Sequence, residues 1–190
     1  MSIWVCGEVL IDLIPDGSGE RVPHVGGGPA NTAKALALWS IFHSLAARTG
    51  KKTGVLVGVS IESEEKRLWR SMLLAFRSTI PCPACQKHYN EYLNTRSWLA
   101  IFDKKGSEWG SAIQTWFFTF HNAVRSTKGQ PLDFTEEQLS RYQESTRTEM
   151  VHWKQTLTEH MRRGLVLHLL TRDDMLRVLR LMEELILLIF

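Results

Sequence analysis

Cys82-Pro83-Ala84-Cys85 is the part of the chain best suited to chemistry. Two cysteines with two residues between them can close an exchangeable disulfide or share a metal ion. Pro83 suits the first position of a helix, which puts Cys85 in the first turn. There the unpaired N–H groups and the positive end of the helix dipole stabilise a thiolate and lower its pKa. A thiolate is the species that attacks disulfides and electrophilic carbon. Cys6 is the one further cysteine, too little for a disulfide scaffold. Zinc is the competing use of the pair, with His88 and His121 as further ligands, and the cysteines by themselves leave both readings open.

Other residues recur at spacings that suit a flat, charged ligand. Trp39 and His43 lie one helical turn apart, with the small Ala46 and Ala47 beside them. His121, Arg125 and Lys128 follow at four and then three residues, so donors would line one side of a dinucleotide with cations near its phosphates. Trp116 and Phe120 offer apolar surface for rings. Each has an ordinary structural role as well. Tryptophans fill helical cores, histidines hydrogen-bond inside bundles, and Arg125 and Lys128 suit a solvated helix end.

Four stretches, in order, resemble the Erv/ALR family of FAD-dependent sulfhydryl oxidases, including its small viral members. They are Trp39-Ser40-Ile41-Phe42-His43; Pro81-Cys82-Pro83-Ala84-Cys85-Gln86-Lys87-His88; Trp116 through His121-Asn122-Ala123-Val124; and Lys128, Pro131 and Tyr142. The resemblance covers about residues 38 to 145. It implies a four-helix bundle that grips FAD at one end, with a fifth helix beside it. It implies catalysis by Cys82, which meets the substrate thiol, and Cys85, nearer the flavin. It implies FAD contacts from Trp39, His43, Cys85, His88, Trp116, His121, Asn122, Val124, Arg125, Lys128 and Tyr142, and no metal. Protein thiols would be the partners, O₂ the electron acceptor and hydrogen peroxide the product. The chain departs from the family in having Arg125 where asparagine is usual, no second cysteine pair, no extra structural disulfide, and a longer stretch between His43 and Cys82.

The elements that must position these residues follow from hydrophobic periodicity. Ile3 to Pro15 reads as a buried strand, Asp16-Gly17-Ser18-Gly19 as a turn, Arg21 to Val25 as a second strand, and Gly26-Gly27-Gly28-Pro29 as a breaker. Asn31 can cap a helix to about Arg48, and residues 51 to 60 suit a short strand or a loop. Further helices are expected over about Ser63–Thr79, Pro83–Arg96 and Ser107–Arg125. Thr135-Glu136-Glu137-Gln138 has capping-box spacing and opens a helix to about Met161. Thr171 starts a last helix ending in the apolar run Leu185 to Phe190, which suits a core helix or, alternatively, a homodimer contact.

The N-terminal residues have a different resemblance. Val5 to Pro15, with Gly26-Gly27-Gly28-Pro29-Ala30-Asn31, looks like the start of a PfkB-type sugar kinase. The later chain lacks the Gly-rich loop before a helix that such a kinase uses to hold phosphate. The expected organisation is therefore a PfkB-like fragment over 1–37, an oxidase domain over 38–145 and a helical extension over 146–190. The fold class is mainly α, with a four-helix FAD-binding bundle, additional helices and a small N-terminal α/β appendage. A sugar- or nucleotide-binding remnant is a third functional reading.

Composition narrows the partners. A net charge of +3, with Lys and Arg mixed among Asp and Glu, argues against nucleic acid. No apolar run approaches the roughly 20 residues of a bilayer-spanning helix, and the first residues do not have the pattern of a secretory signal. A cytoplasmic or viral-factory-like setting fits these features.

Overall fold

The structure, a computed structural model, describes residues 11–15, 21–25, 28–56, 58–95, 97–127 and 135–190. It is mainly helical: α1 Gly28–Arg48, α2 Ile61–Thr79, α3 Pro83–Thr95, α4 Gly106–Thr127, α5 Arg147–Val166 and α6 Arg172–Ile189. Two antiparallel hairpins accompany them. β1 Ile11–Pro15 pairs with β2 Arg21–Val25, with Leu13 opposite Pro23, and β3 Val55–Leu56 pairs with β4 Val59–Ser60. Residues 3–10 of the expected first strand, the turn at 16–19, and Gly26 and Gly27 lie outside the described residues.

Apolar stripes at helical period build the core. Trp109, Ile113, Trp116, Phe117 and Phe120 are buried along α4, and Leu68, Trp69, Met72, Leu73 and Phe76 along α2. With Ile41, Phe42 and Leu45 of α1, Met150, Leu157 and Met161 of α5, and Val178, Met182 and Leu185 of α6, they form one continuous cluster. α5 packs on α1 and α6 along α2. Within the apolar C-terminal run, Leu185, Ile186 and Ile189 are buried while Leu187 is exposed.

Close backbone approach fixes the crossing of α1 and α4. A Cβ on Gly110 would run into the carbonyl oxygen of Thr49, and one on Gly50 would lie 2.9 Å from that of Gly106. Gly50 also has φ +73°, which glycine adopts without the Cβ penalty. Beside this crossing the fully buried Glu65 accepts from Gly50 N–H at 2.9 Å and Trp109 Nε1–H at 3.2 Å. Burial holds its carboxyl above the ordinary range. Trp69 Nε1–H donates to Thr49 Oγ1 at 2.9 Å.

Several boundaries differ from expectation. α1 starts at Gly28, so Asn31 lies inside the first turn and is not its cap. Pro29 is compatible with this, because first-turn N–H groups have no intrahelical partner to lose. α2 starts at Ile61, two residues before the expected start near Ser63, and Ser60 caps it, with its side chain accepting from Ser63 N–H. A 3₁₀ helix, Leu99–Asp103, joins α3 to α4.

The expected single helix from Thr135 to Met161 is two elements, a 3₁₀ helix Glu136–Gln143 and α5. Arg48 explains the break. It donates to the carbonyls of Tyr142 at 2.8 Å and Gln143 at 2.6 Å, to that of Ser145, and to Ser145 Oγ at 3.0 Å. These carbonyls are thus satisfied by a side chain from α1. Thr146 and Glu149 then form the capping box that restarts the helix. The expected division at 37/38 falls inside the continuous α1.

Candidate functional site

The cysteine pair sits where α2 hands over to α3. α2 ends at Thr79; Cys82 N–H donates to Ile80 O at 2.8 Å across Pro81, and Pro83 opens α3. Cys82 O accepts from Gln86 N–H at 2.8 Å, which makes Cys82 the cap residue of α3. Cys82 and Cys85 are joined as a disulfide with a Cα separation of 5.2 Å. Cys85 N–H points at Cys82 Sγ at 3.3 Å. The sulfur that receives the helix-end N–H is therefore that of Cys82, not that of Cys85. Both cysteines are half-buried and Pro83 and Ala84 exposed.

α3 is tied to its neighbours at its other faces. Arg77 of α2 donates to Asn90 Oδ1 at 2.9 Å and Asn94 Oδ1 at 2.7 Å. Tyr89 O–H donates to Leu73 O at 2.7 Å, and burial raises its phenol well above the usual range. Tyr89 and Tyr92 carry α3 into an aromatic cluster: both contact Phe120, with ring centroids at 5.5 and 4.7 Å, and Tyr92 meets Trp116 edge-on at 5.6 Å.

Phe120 in turn meets Trp39 at 5.3 Å. Trp39 of α1 and His121 of α4 stack face to face, 4.0 Å apart and 4° from parallel. His43, one turn after Trp39, lies with Nε2 at 3.1 Å from His121 Nδ1 and its ring 5.0 Å from that of Tyr142. One ring nitrogen must donate and the other accept. The accepting ring must therefore be neutral, and the electrostatics favour the neutral form of both. Burial, then the neighbouring His121 and Arg141, lowers the pKa of His43 to about 3. Burial, then Arg125 and Arg141, lowers that of His121 to about 4.

This ring cluster also has features that a flat-ringed, anionic ligand would use. Trp116 Nε1 and Asn122 Oδ1, on the same helix as His121, are buried without a hydrogen-bond partner among the described residues, a state that a polar ligand atom would relieve. Arg125 and Arg141 both bear on His121, so the cluster has positive potential. Stacking surface, unpaired buried polar atoms and cations together fit a dinucleotide such as FAD.

Of the residues singled out in the sequence, Trp39, His43, His121 and Tyr142 meet in one cluster, and Trp116 joins it through Phe120. Val124 packs against the main core, and Asn122 and Arg125 lie half-buried on the same helix. Cys82, Cys85 and His88 are on or next to α3, whose ring contacts with the cluster come from Tyr89 and Tyr92. Lys128 and Pro131 lie outside the described residues. Among those described, no group of three His, Cys, Asp or Glu side chains is placed to hold a metal ion.

Sequence reasoning missed Tyr89, Tyr92, Arg141 and Arg48. The tyrosines had a usable signal, standing four and seven residues after Cys85 on one helical face. Arg141 donates to Tyr142 Oη at 2.8 Å and lies over its ring. Neither it nor Arg48, which reaches 94 residues along the chain, had a local signal.

Residues 36–147 match the model of the Erv1 / Alr family. A 35-residue stretch is 49% identical to a fructokinase of Klebsiella pneumoniae; it makes up 18% of this chain and 11% of that protein. No solved structure matches.

Proposed function

Because the chain belongs to the Erv1 / Alr family of FAD-linked sulfhydryl oxidases, we propose that it oxidises protein thiols through Cys82 and Cys85, with FAD held by the aromatic cluster and O₂ as the final acceptor. The balance is two thiols plus O₂ to one disulfide plus hydrogen peroxide.

A substrate thiolate attacks Cys82, the half-buried sulfur at the cap of α3. The Cys82–Cys85 bond breaks and Cys85 leaves as a thiolate within the first turn of the helix, where the dipole stabilises it. A second substrate thiolate attacks the substrate sulfur of the mixed disulfide and expels Cys82, leaving the pair reduced and the product disulfide free. When bound, FAD supplies acceptance of that electron pair and its delivery to O₂.

Trp39, His121, Tyr142 and Trp116 would hold flat rings. Arg125 would face phosphates, and Trp116 Nε1–H and Asn122 Oδ1 would find polar partners. His43 and His121, kept neutral by burial and by the arginines, can give or take a hydrogen bond without adding charge.

The observation that carries the reading is the continuity from the disulfide-bonded Cys82–Cys85, along α3 through Tyr89 and Phe120, to the Trp39–His121 stack. Purified protein is expected to be yellow, with flavin absorbance, and to make peroxide from dithiothreitol. Cys85→Ser should keep the flavin and lose turnover by at least about a hundredfold, since without it there is no disulfide at Cys82 for the substrate to attack. Peroxide production by that variant at the parent rate would refute the mechanism.

A further inference from the structure

We propose that Gly164, on α5, is a positioning residue for the cysteine pair: its missing side chain makes the recess that seats Pro81 and thereby holds Cys82 at the start of α3. The inference rests on the reading of Cys82–Cys85 as the redox pair. Gly164 lies beyond the residues matched by the family, which end at 147.

Glycine inside a helix costs about 1 kcal/mol relative to alanine, so a buried glycine in the last turns of α5 calls for a packing reason. A Cβ built there would lie 2.6 Å from Pro81 Cβ and 2.8 Å from Leu170 Cδ2. The leucine methyl can rotate away. The proline atom belongs to a ring fused to the backbone, so only movement of the chain relieves that contact.

α5 is the less yielding side. Met150, Leu157 and Met161 anchor it in the core. Its end is closed by Leu169 N–H to Gly164 O at 2.9 Å and His168 N–H to Leu165 O at 3.0 Å. The turn opposite has Cys82 N–H to Ile80 O across Pro81. Displacing Pro81 drags Cys82, whose sulfur receives Cys85 N–H at 3.3 Å. Loss of that contact weakens stabilisation of the Cys82 thiolate, the form that leaves when the product disulfide is released.

The test uses the full chain, reduced, and follows alkylation of Cys82 by iodoacetamide against pH with peptide mass spectrometry. Gly164→Ala should slow Cys82 at neutral pH by about tenfold, the change in thiolate fraction for one unit of pKa, and shift the profile upward while helical circular dichroism is retained. Pro81→Gly, which removes the seated ring, should slow Cys82 likewise, and adding Gly164→Ala to it should change the rate no further. Leu170→Ala opens the same recess from the other side and should lower stability while leaving the Cys82 rate within about twofold.

An unaltered rate and profile in folded Gly164→Ala overturns the proposal. Should that variant not fold, an unaltered rate in Pro81→Gly overturns it instead. Oxygen uptake by the parent chain separates the two levels of argument. A parent that consumes no O₂ with dithiothreitol defeats the oxidase reading, while the alkylation contrast still decides the role of Gly164.

Discussion

His43 and His121 share one hydrogen bond at 3.1 Å inside an aromatic cluster, with Arg125 and Arg141 nearby. Protonating the accepting ring would leave two donors facing each other, and a charge on either ring would sit buried beside arginines. The folded pKa values, about 3 and about 4, are both below the ordinary 6.5. The unfolded chain therefore takes up protons below about 6.5 that the folded chain refuses, so stability is full above that value and falls as pH drops toward 4. Between about pH 7 and about pH 5.5 the loss should be about 1–2 kcal/mol, with the half-buried His121 contributing the smaller part. Urea midpoints at the two pH values measure it. The His43→Gln/His121→Gln variant should show a shallower dependence over this window, which lies above the range where most carboxylates titrate. An equally steep dependence in that variant would assign the acid sensitivity elsewhere.

At the scale of elements, the chain was most readable where one hydrophobic face decides the structure. The stripe of Trp116, Phe117 and Phe120 located α4, and Thr171 located the start of α6. It was least readable where two local signals compete or where distant groups intervene. Thr135-x-x-Gln138 and Thr146-x-x-Glu149 have the same capping-box spacing, and the second starts the α-helix because Arg48 binds the carbonyls just before it. The site followed the same rule. Trp39 and His43 were visible as neighbours one turn apart, whereas the stack of Trp39 on His121 depends on how α1 crosses α4.

That crossing had no pattern to announce it, because its requirement is two glycines with no room for a Cβ. Gly110→Ala sets a methyl against the Thr49 carbonyl and should cost about 2–3 kcal/mol, the upper range for overpacking, read as a lowered urea midpoint. The end of α5 predicts the opposite sign. His168 has φ +54° in a turn closed by Leu169 N–H to Gly164 O and His168 N–H to Leu165 O, a Schellman motif with histidine at the position glycine prefers. His168→Gly should stabilise the protein by about 0.5–1 kcal/mol. A lower melting temperature would show that the imidazole makes contacts worth more than the backbone strain.

The whole molecule is arranged so that residues 146–190 complete the core of the bundle they follow. α6 lies along α2 and buries Leu181, Met182, Leu185, Ile186 and Ile189, while α5 lies on α1 and buries Met150, Leu157 and Met161. Arg48 adds a polar tie, its guanidinium 4.2 Å from the Phe190 ring centroid while it also binds the 142–145 turn. The expected division at 145/146 follows the extent of the sequence resemblance, and the family match spans residues 36–147. Physically that cut strips an apolar cover from α1 and α2. Each of those eight side chains contributes about 1.5–3 kcal/mol on burial, so together they are comparable to or larger than the ordinary 5–15 kcal/mol stability of a domain. A chain ending at residue 145 should therefore lose its cooperative thermal transition and bind a dye for exposed apolar surface, even though it keeps Trp39, His43, Cys82, Cys85, His121 and Tyr142. Supplying residues 146–190 as a separate polypeptide should restore the transition in proportion to its concentration, because the missing contribution is a surface that can be provided in trans. A cooperative melt of the short chain near that of the full one would make the last two helices a detachable addition, and the core would have to be assigned to the first four alone.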